Sequence, residues 1–162
     1  LLFMGQEFGQ AAEWDHDGSL DWACLDDPAH AGVKRLVADL NALYRQAPAL
    51  HAKDCEADGF RWIEADDTER SVYAWLRFGR DGDAPVAVVC NFSDREHRDY
   101  RVGLPHGGRW REALNTDAGP YGGGNRGNMG AVEAQSPPTH GQPASAALRL
   151  PPLSTIMLVH ER

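Results

Sequence analysis

SVYAWLRFGRDGDAPVAVVCNF, residues 71–92, decides how the rest of the chain is read. From Ser71 to Gly79 apolar and polar positions alternate. Val72, Ala74, Leu76 and Phe78 fall on one face, and Tyr73, Trp75 and Arg77 on the other. That period of two belongs to a half-buried strand. Arg80–Asp81–Gly82–Asp83 carries an Asp-Gly turn signal, and Pro85 to Phe92 is a second apolar run. Two such runs around an Asp-Gly turn predict a β-hairpin.

Outward from this hairpin the pattern repeats towards the C-terminus. Phe60, Trp62 and Ile63 open a strand that runs into the acidic turn Ala65–Asp66–Asp67. Further strands are expected at Tyr100–Leu104, Arg109–Leu114, Ala147–Leu150 and Thr155–His160. Many short strands with no helix between them indicate an antiparallel β-sandwich. From Asn115 to Gln142 the composition is loop-like, and its Gly122–Gly123–Gly124 run lacks the Gly-Lys-Ser/Thr that ends a P-loop. A long connection between sheet strands is the expectation there. No internal repeat is evident.

Towards the N-terminus the period changes near residue 50. Asp27 is a good helix N-cap and Pro28 suits the first helical position. Val33, Leu36, Val37, Leu40, Leu43 and Tyr44 then make one apolar stripe, and Pro48 ends the helix. Before it, Ala11 to Asp27 is a polar loop. The chain opens on Leu1, Leu2, Phe3 and Met4 closed by Gly5, a run suited to a strand buried on both faces as in a parallel sheet. Such a strand needs neighbours on both edges, and none follow nearby, which suggests a piece of something larger. Residues 1–50 therefore read as one β/α unit and residues 51–162 as an all-β domain.

Composition narrows the function. The 162 residues are 42% hydrophobic with a net charge of −8, which argues against nucleic acid or an anionic membrane as the main partner. No apolar run approaches the roughly 20 residues of a membrane span. Cys24, Cys55 and Cys90 are odd in number and widely spaced, so a reducing, cytoplasmic setting and inert packing roles are expected.

The densest chemistry lies at Glu13, Trp14, Asp15, His16, Asp17, Asp21 and Trp22. As a metal site the group is weak, because adjacent side chains are expected to point apart and the spacing matches no known loop. No metal or cofactor is expected. As a catalytic pair, two carboxylates about 5–9 Å apart would suit glycoside chemistry, yet nothing marks a nucleophile. As a sugar-lined rim the residue types fit, since aromatic rings cover the apolar face of a pyranose while polar groups meet its hydroxyls. Trp14 and Trp22 as mere anchors of a long loop remain an equal alternative.

These residues also carry a resemblance. LLFMGQEFGQ followed by EWDHDGSLDW is similar to the eighth barrel strand and following loop of bacterial 1,4-α-glucan (glycogen) branching enzymes, within the α-amylase-type families. GVKRLVADLNALYRQAPALH resembles that family's eighth barrel helix. DGFRWIEADDTERSVYAWLR, VAVVCNFS, WREALNTD, YGGGNRGN and LPPLSTIMLV resemble successive parts of its C-terminal β domain. One departure is Asp15, where Asn is the commoner residue. The resemblance implies a (β/α)₈ barrel whose strand ends build the active site, and a retaining transfer from α-1,4 to α-1,6 linkage through a glycosyl-enzyme. It places the reacting carboxylates on earlier barrel strands, so no catalytic residue is expected in this chain and the fragment alone should be inert.

The resemblance further implies α-glucan as partner, together with a barrel from the same polypeptide. Trp14, Asp15, His16 and Trp22 would border the catalytic face, and Trp62 and Trp75 on the β domain could stack on glucose. Trp62 beside Ile63 breaks strict alternation, so one of the two must face away from the core or sit at a bulge. Trp110, between Arg109 and Arg111, is expected to be packed. The other reading is a free-standing carbohydrate-binding or structural β module.

Overall fold

The computed structural model describes residues 2–161. β2 (Val72–Arg77) and β3 (Val86–Asn91) form the hairpin, in register from Val72 opposite Asn91 to Arg77 opposite Val86. The connection is pinned by a turn in which Asp83 N–H donates to Arg80 O at 2.9 Å. Along β2, Val72, Ala74 and Leu76 are fully buried while Tyr73 is exposed. β3 is buried at all six positions, because it lies inside the sheet and is covered on both faces.

β1 (Phe60–Asp67) flanks the hairpin on one side. β8 (Ser154–His160), β5 (Gly108–Asn115) and β6 (Ala131–Ala134) continue it on the other, in the order β1-β2-β3-β8-β5-β6. β4 (His97–Leu104) and β7 (Ala144–Leu150) pair as a second, two-stranded sheet. All the ladders are antiparallel. Leu76, Val89, Ile156 and Leu158 from the large sheet meet Val102, Leu104, Leu148 and Leu150 from the small one. Trp110 is fully buried among them and donates its indole N–H to His106 O at 3.0 Å, which satisfies the polar end of the ring.

The outer face of the large sheet carries a third layer. α1 spans Pro28–Gln46, with Asp27 accepting from Ala29 N–H as N-cap and Ala47 closing the last turn onto Leu43 O. Leu43, Ala47 and Ala49 pack on Val86, Val88, Cys90 and Leu114, with Leu36 and Leu40 alongside. The predicted stripe is narrower than expected, since Val33 and Tyr44 are exposed. Gly32 is buried instead.

Three expectations are corrected. Leu2, Phe3 and Met4 form no strand and are each about half exposed (53%, 53% and 51%), while Leu1 lies outside the described residues. No strand of the described residues runs beside them, so their backbone turns on itself. Gln6 N–H donates to Phe3 O at 2.9 Å, and Gly5, at φ 86°, leads into a 3₁₀ turn at Gln6–Phe8. The segment 115–142 is not bare connection, because it contains β6. Cys90 is buried and Cys24 half-buried, but Cys55 is exposed on a surface turn and is no core packing residue.

Candidate functional site

Trp62 stands on the outer face of β1, directly opposite Trp75 of β2. Ile63 points into the core (8% exposed) while Trp62 stays 52% exposed, and the register shifts between Trp62 and Glu64. Neighbouring side chains of a strand point to opposite faces, so Trp62 and Ile63 divide between the outer face and the core. The Trp62 ring meets Phe60 at 5.0 Å, Trp75 at 6.0 Å and Tyr73 at 6.5 Å between centroids, and Tyr73 meets Phe92 at 5.8 Å. Three of these four contacts are edge-to-face, an arrangement that aromatic rings favour. Phe60, Tyr73 and Phe92 were not singled out from the sequence. Tyr73 alone had a hint in its sequence, on the outward face of β2 where it and Trp75 alternate with core residues.

This aromatic surface runs into a cleft of about 420 Å³ between α1 and β2, walled by Tyr44, Trp75 and Met157. On its rim Arg77 Nη2 donates to Asp54 Oδ1 at 2.5 Å and to Leu50 O at 3.3 Å. Rings with amides and charges at their margin can hold a hydroxyl-rich ligand that also has apolar faces.

The other predicted residues sit on the loop before α1. Asp15 Oδ1 accepts from Asp17 N–H at 2.9 Å and Asp15 O from Gly18 N–H at 3.2 Å. This tight turn draws Asp15, His16 and Asp17 together, with their ligand-type atoms within 4.8 Å of one another. The expectation that adjacent side chains point apart is thereby corrected; all three are exposed. His16 lies 3.3 Å from Asp17 and 3.8 Å from Asp15, and its ring is 6.3 Å from that of Trp14. Trp14 packs edge-on against Phe3 at 5.1 Å. Trp22 is directed elsewhere, with its ring 5.1 Å from the buried Phe8. Trp14, Asp15 and His16 are thus brought together, Trp22 anchors the base of the loop, and Trp62 belongs to the sheet surface.

Residues 62–161 match the alpha amylase C-terminal all-beta domain. The chain belongs to that family. Its similarity to curated relatives covers more than this domain. It is 56% identical to 1,4-alpha-glucan branching enzyme GlgB of Cereibacter sphaeroides and 54% to that of Pseudomonas putida, over 98% of this chain in each case. It is 54% identical to that of Nitrobacter hamburgensis over 100% of this chain. The chain spans 21–22% of the length of these relatives and matches their C-terminal part. A solved structure of an inactive double mutant of MutB in complex with isomaltulose aligns over 87% of this chain and 20% of its own, with a TM-score of 0.50 at 20% identity. That likeness speaks for the fold alone.

The alpha amylase C-terminal domain has a second, larger cleft of about 550 Å³ beside β1 and β4. Its charged groups are turned on one another. Tyr100 donates to Asp67 Oδ2 at 2.8 Å, Glu64 lies 3.6 Å from His140, and Glu96 holds Arg98. Burial works to raise the Asp67 carboxyl, but the Tyr100 hydroxyl, the Arg70 N–H and the Arg70 guanidinium outweigh it and hold it below its ordinary value. These pairs occupy part of the cleft's charge with internal partners. Among the described residues no helix is long and apolar enough to cross a membrane.

Proposed function

We propose that this chain is the C-terminal portion of a cytoplasmic 1,4-α-glucan branching enzyme, which moves α-1,4-linked segments onto 6-hydroxyls in glycogen synthesis. Residues 1–50, which carry α1 but no strand among the described residues, are the stretch that would complete the catalytic barrel in the whole enzyme, and residues 51–162 are the C-terminal β domain. The nucleophile and acid/base belong to barrel strands outside this chain, so the chain alone is inert. Its own tasks are to support the barrel and to contact glucan. Trp14, Asp15, His16 and Trp22 border the catalytic face, and Trp62 binds a glucan chain on the β domain. The relatives' names support the reaction. Unpaired cysteines and a net charge of −8 suit the cytoplasm.

The observation that carries glucan contact is Trp62, half exposed and packed edge-to-face with Trp75 and Phe60 on the open face of an edge strand. A soluble domain gains nothing in stability from leaving an indole in water, whereas stacking on a pyranose removes that surface from solvent. Titrating the chain with maltoheptaose should change its tryptophan fluorescence to saturation. Trp62→Ala should weaken binding by about tenfold, the loss of one buried aromatic contact. An unchanged titration in the variant, or no response in the parent chain, refutes glucan contact at Trp62.

A further inference from the structure

The Gly-Gly-Gly segment has a role that its sequence does not announce. Asp117 accepts the backbone N–H of Gly124 at 2.8 Å and of Arg126 at 3.0 Å on its two carboxylate oxygens. Asn115 Nδ2 donates to Arg126 O at 2.7 Å, and Asn128 donates its backbone N–H and Nδ2 to Glu112 Oε2 at 2.9 and 2.7 Å. The chain folds closely over Asp117, where a Cβ on Gly123 would stand 2.3 Å from backbone atoms. Gly122 takes φ 87°, which L side chains resist. A loop bonded this densely to the base of β5 is a rigid projection of the sheet.

Its tip meets α1. Gly119–Tyr121 forms a 3₁₀ turn, and a Cβ on Gly32 would lie 2.6 Å from Tyr121 O. The Tyr121 hydroxyl donates to Asp39 Oδ2 at 2.8 Å. Burial first, and then the Asp39 carboxylate, push that hydroxyl up to about 12, so it stays a donor across the physiological range. Gly32 and Asp39 are seven residues apart, two turns on one helix face. Near the start of the same helix the His30 Nδ1–H donates to Phe8 O at 2.9 Å, and Phe8 is fully buried with its ring against Trp22.

We propose that the loop of residues 115–128 is a bracket, in which Tyr121 with Gly32 and Asp39 seats α1 on the β domain and, through His30 and Phe8, fixes the stance of residues 6–22. Tyr121, Gly32 and Asp39 are positioning residues. Resting on the branching-enzyme reading, the bracket lets the β domain set the geometry of a loop that borders the substrate.

Amide hydrogen exchange on the 162-residue chain tests it, following Phe8, Gly9 and Gln10 against β2 and β3. Tyr121→Phe should speed exchange at residues 8–10 by about five- to tenfold, the loss of one hydrogen bond to a charged acceptor, and leave the strands unchanged. Asp39→Asn keeps an acceptor without its charge and should fall between the parent chain and Tyr121→Phe, whereas Asp39→Ala should match Tyr121→Phe. Gly32→Ala should exceed both, because the neighbouring contact is backbone and cannot yield. Unchanged exchange at residues 8–10 in Tyr121→Phe and Gly32→Ala overturns the bracket. Equal acceleration in the strands overturns it too, since that is a loss of global stability only. Exchange needs no sugar, so a failed maltoheptaose titration counts against glucan contact and leaves the bracket to be decided by these rates.

Discussion

Glu96 sits between two guanidinium groups, accepting from Arg149 Nε at 2.6 Å and Arg98 Nε at 2.9 Å. The hydrogen bond from Arg149, then that from Arg98, draw its carboxyl down from 4.5 to about 2. A carboxyl depressed in the fold contributes stability that is complete above its unfolded value and is lost as pH falls through the folded one. Denaturant unfolding should therefore show Glu96→Gln less stable than the parent at pH 7, with the gap closing between about pH 4.5 and 2; a gap that stays constant over that window contradicts the ion pairs' role. At this scale the sequence was a fair guide to single positions with a local signature. Trp62 beside Ile63 could not both be buried in a strand with one wet face, and Trp62 is the one that faces out. Phe60 and Phe92 had no such signature, because an aromatic residue at a strand's end looks the same whether it faces the core or the solvent. Only the pairing register, with Trp62 opposite Trp75, turns them into one surface. The Asp15–His16–Asp17 turn was illegible for a similar reason: backbone bonds among neighbours decide where those side chains go.

Among the elements, α1 was the most legible because both its ends are written in local chemistry, Asp27 before Pro28 at the start and Pro48 beyond the end. Replacing Asp27 by Ala removes the acceptor for Ala29 N–H, and should cost about 1 kcal/mol of unfolding free energy. Urea denaturation measures this, and an unchanged midpoint would show that the cap contributes nothing. The hairpin was legible through alternation alone. β6 was not, because Ala131–Ala134 is four residues long and set among turn formers, so its strand character comes from pairing with β5 rather than from propensity. The opening run failed in the opposite sense. Leu2, Phe3 and Met4 have strand-like composition, but a strand is a relation between neighbours, and backbone groups without a partner strand find local ones.

As a whole, the molecule is three layers, with α1, the six-stranded sheet and the two-stranded sheet stacked over two apolar cores. Trp110 is the largest fully buried side chain in the layer between the sheets. Trp110→Ala should destabilise by about 3–5 kcal/mol, read as a fall in urea midpoint at constant slope; a loss below about 1 kcal/mol would mean that the sheets close over the gap. β3 has a consequence for how such a molecule comes into being. Its first neighbour, β2, precedes it by only a turn, but its other neighbour, β8, follows more than sixty residues later, with Cys90 opposite Thr155. Until that distant segment arrives, Val86–Asn91 is a six-residue, uncharged, apolar strand with one edge bare. Chains caught at that stage are sticky to one another along the edge that the native fold keeps innermost. The part most secure in the finished protein is the one most exposed to misassembly on the way there.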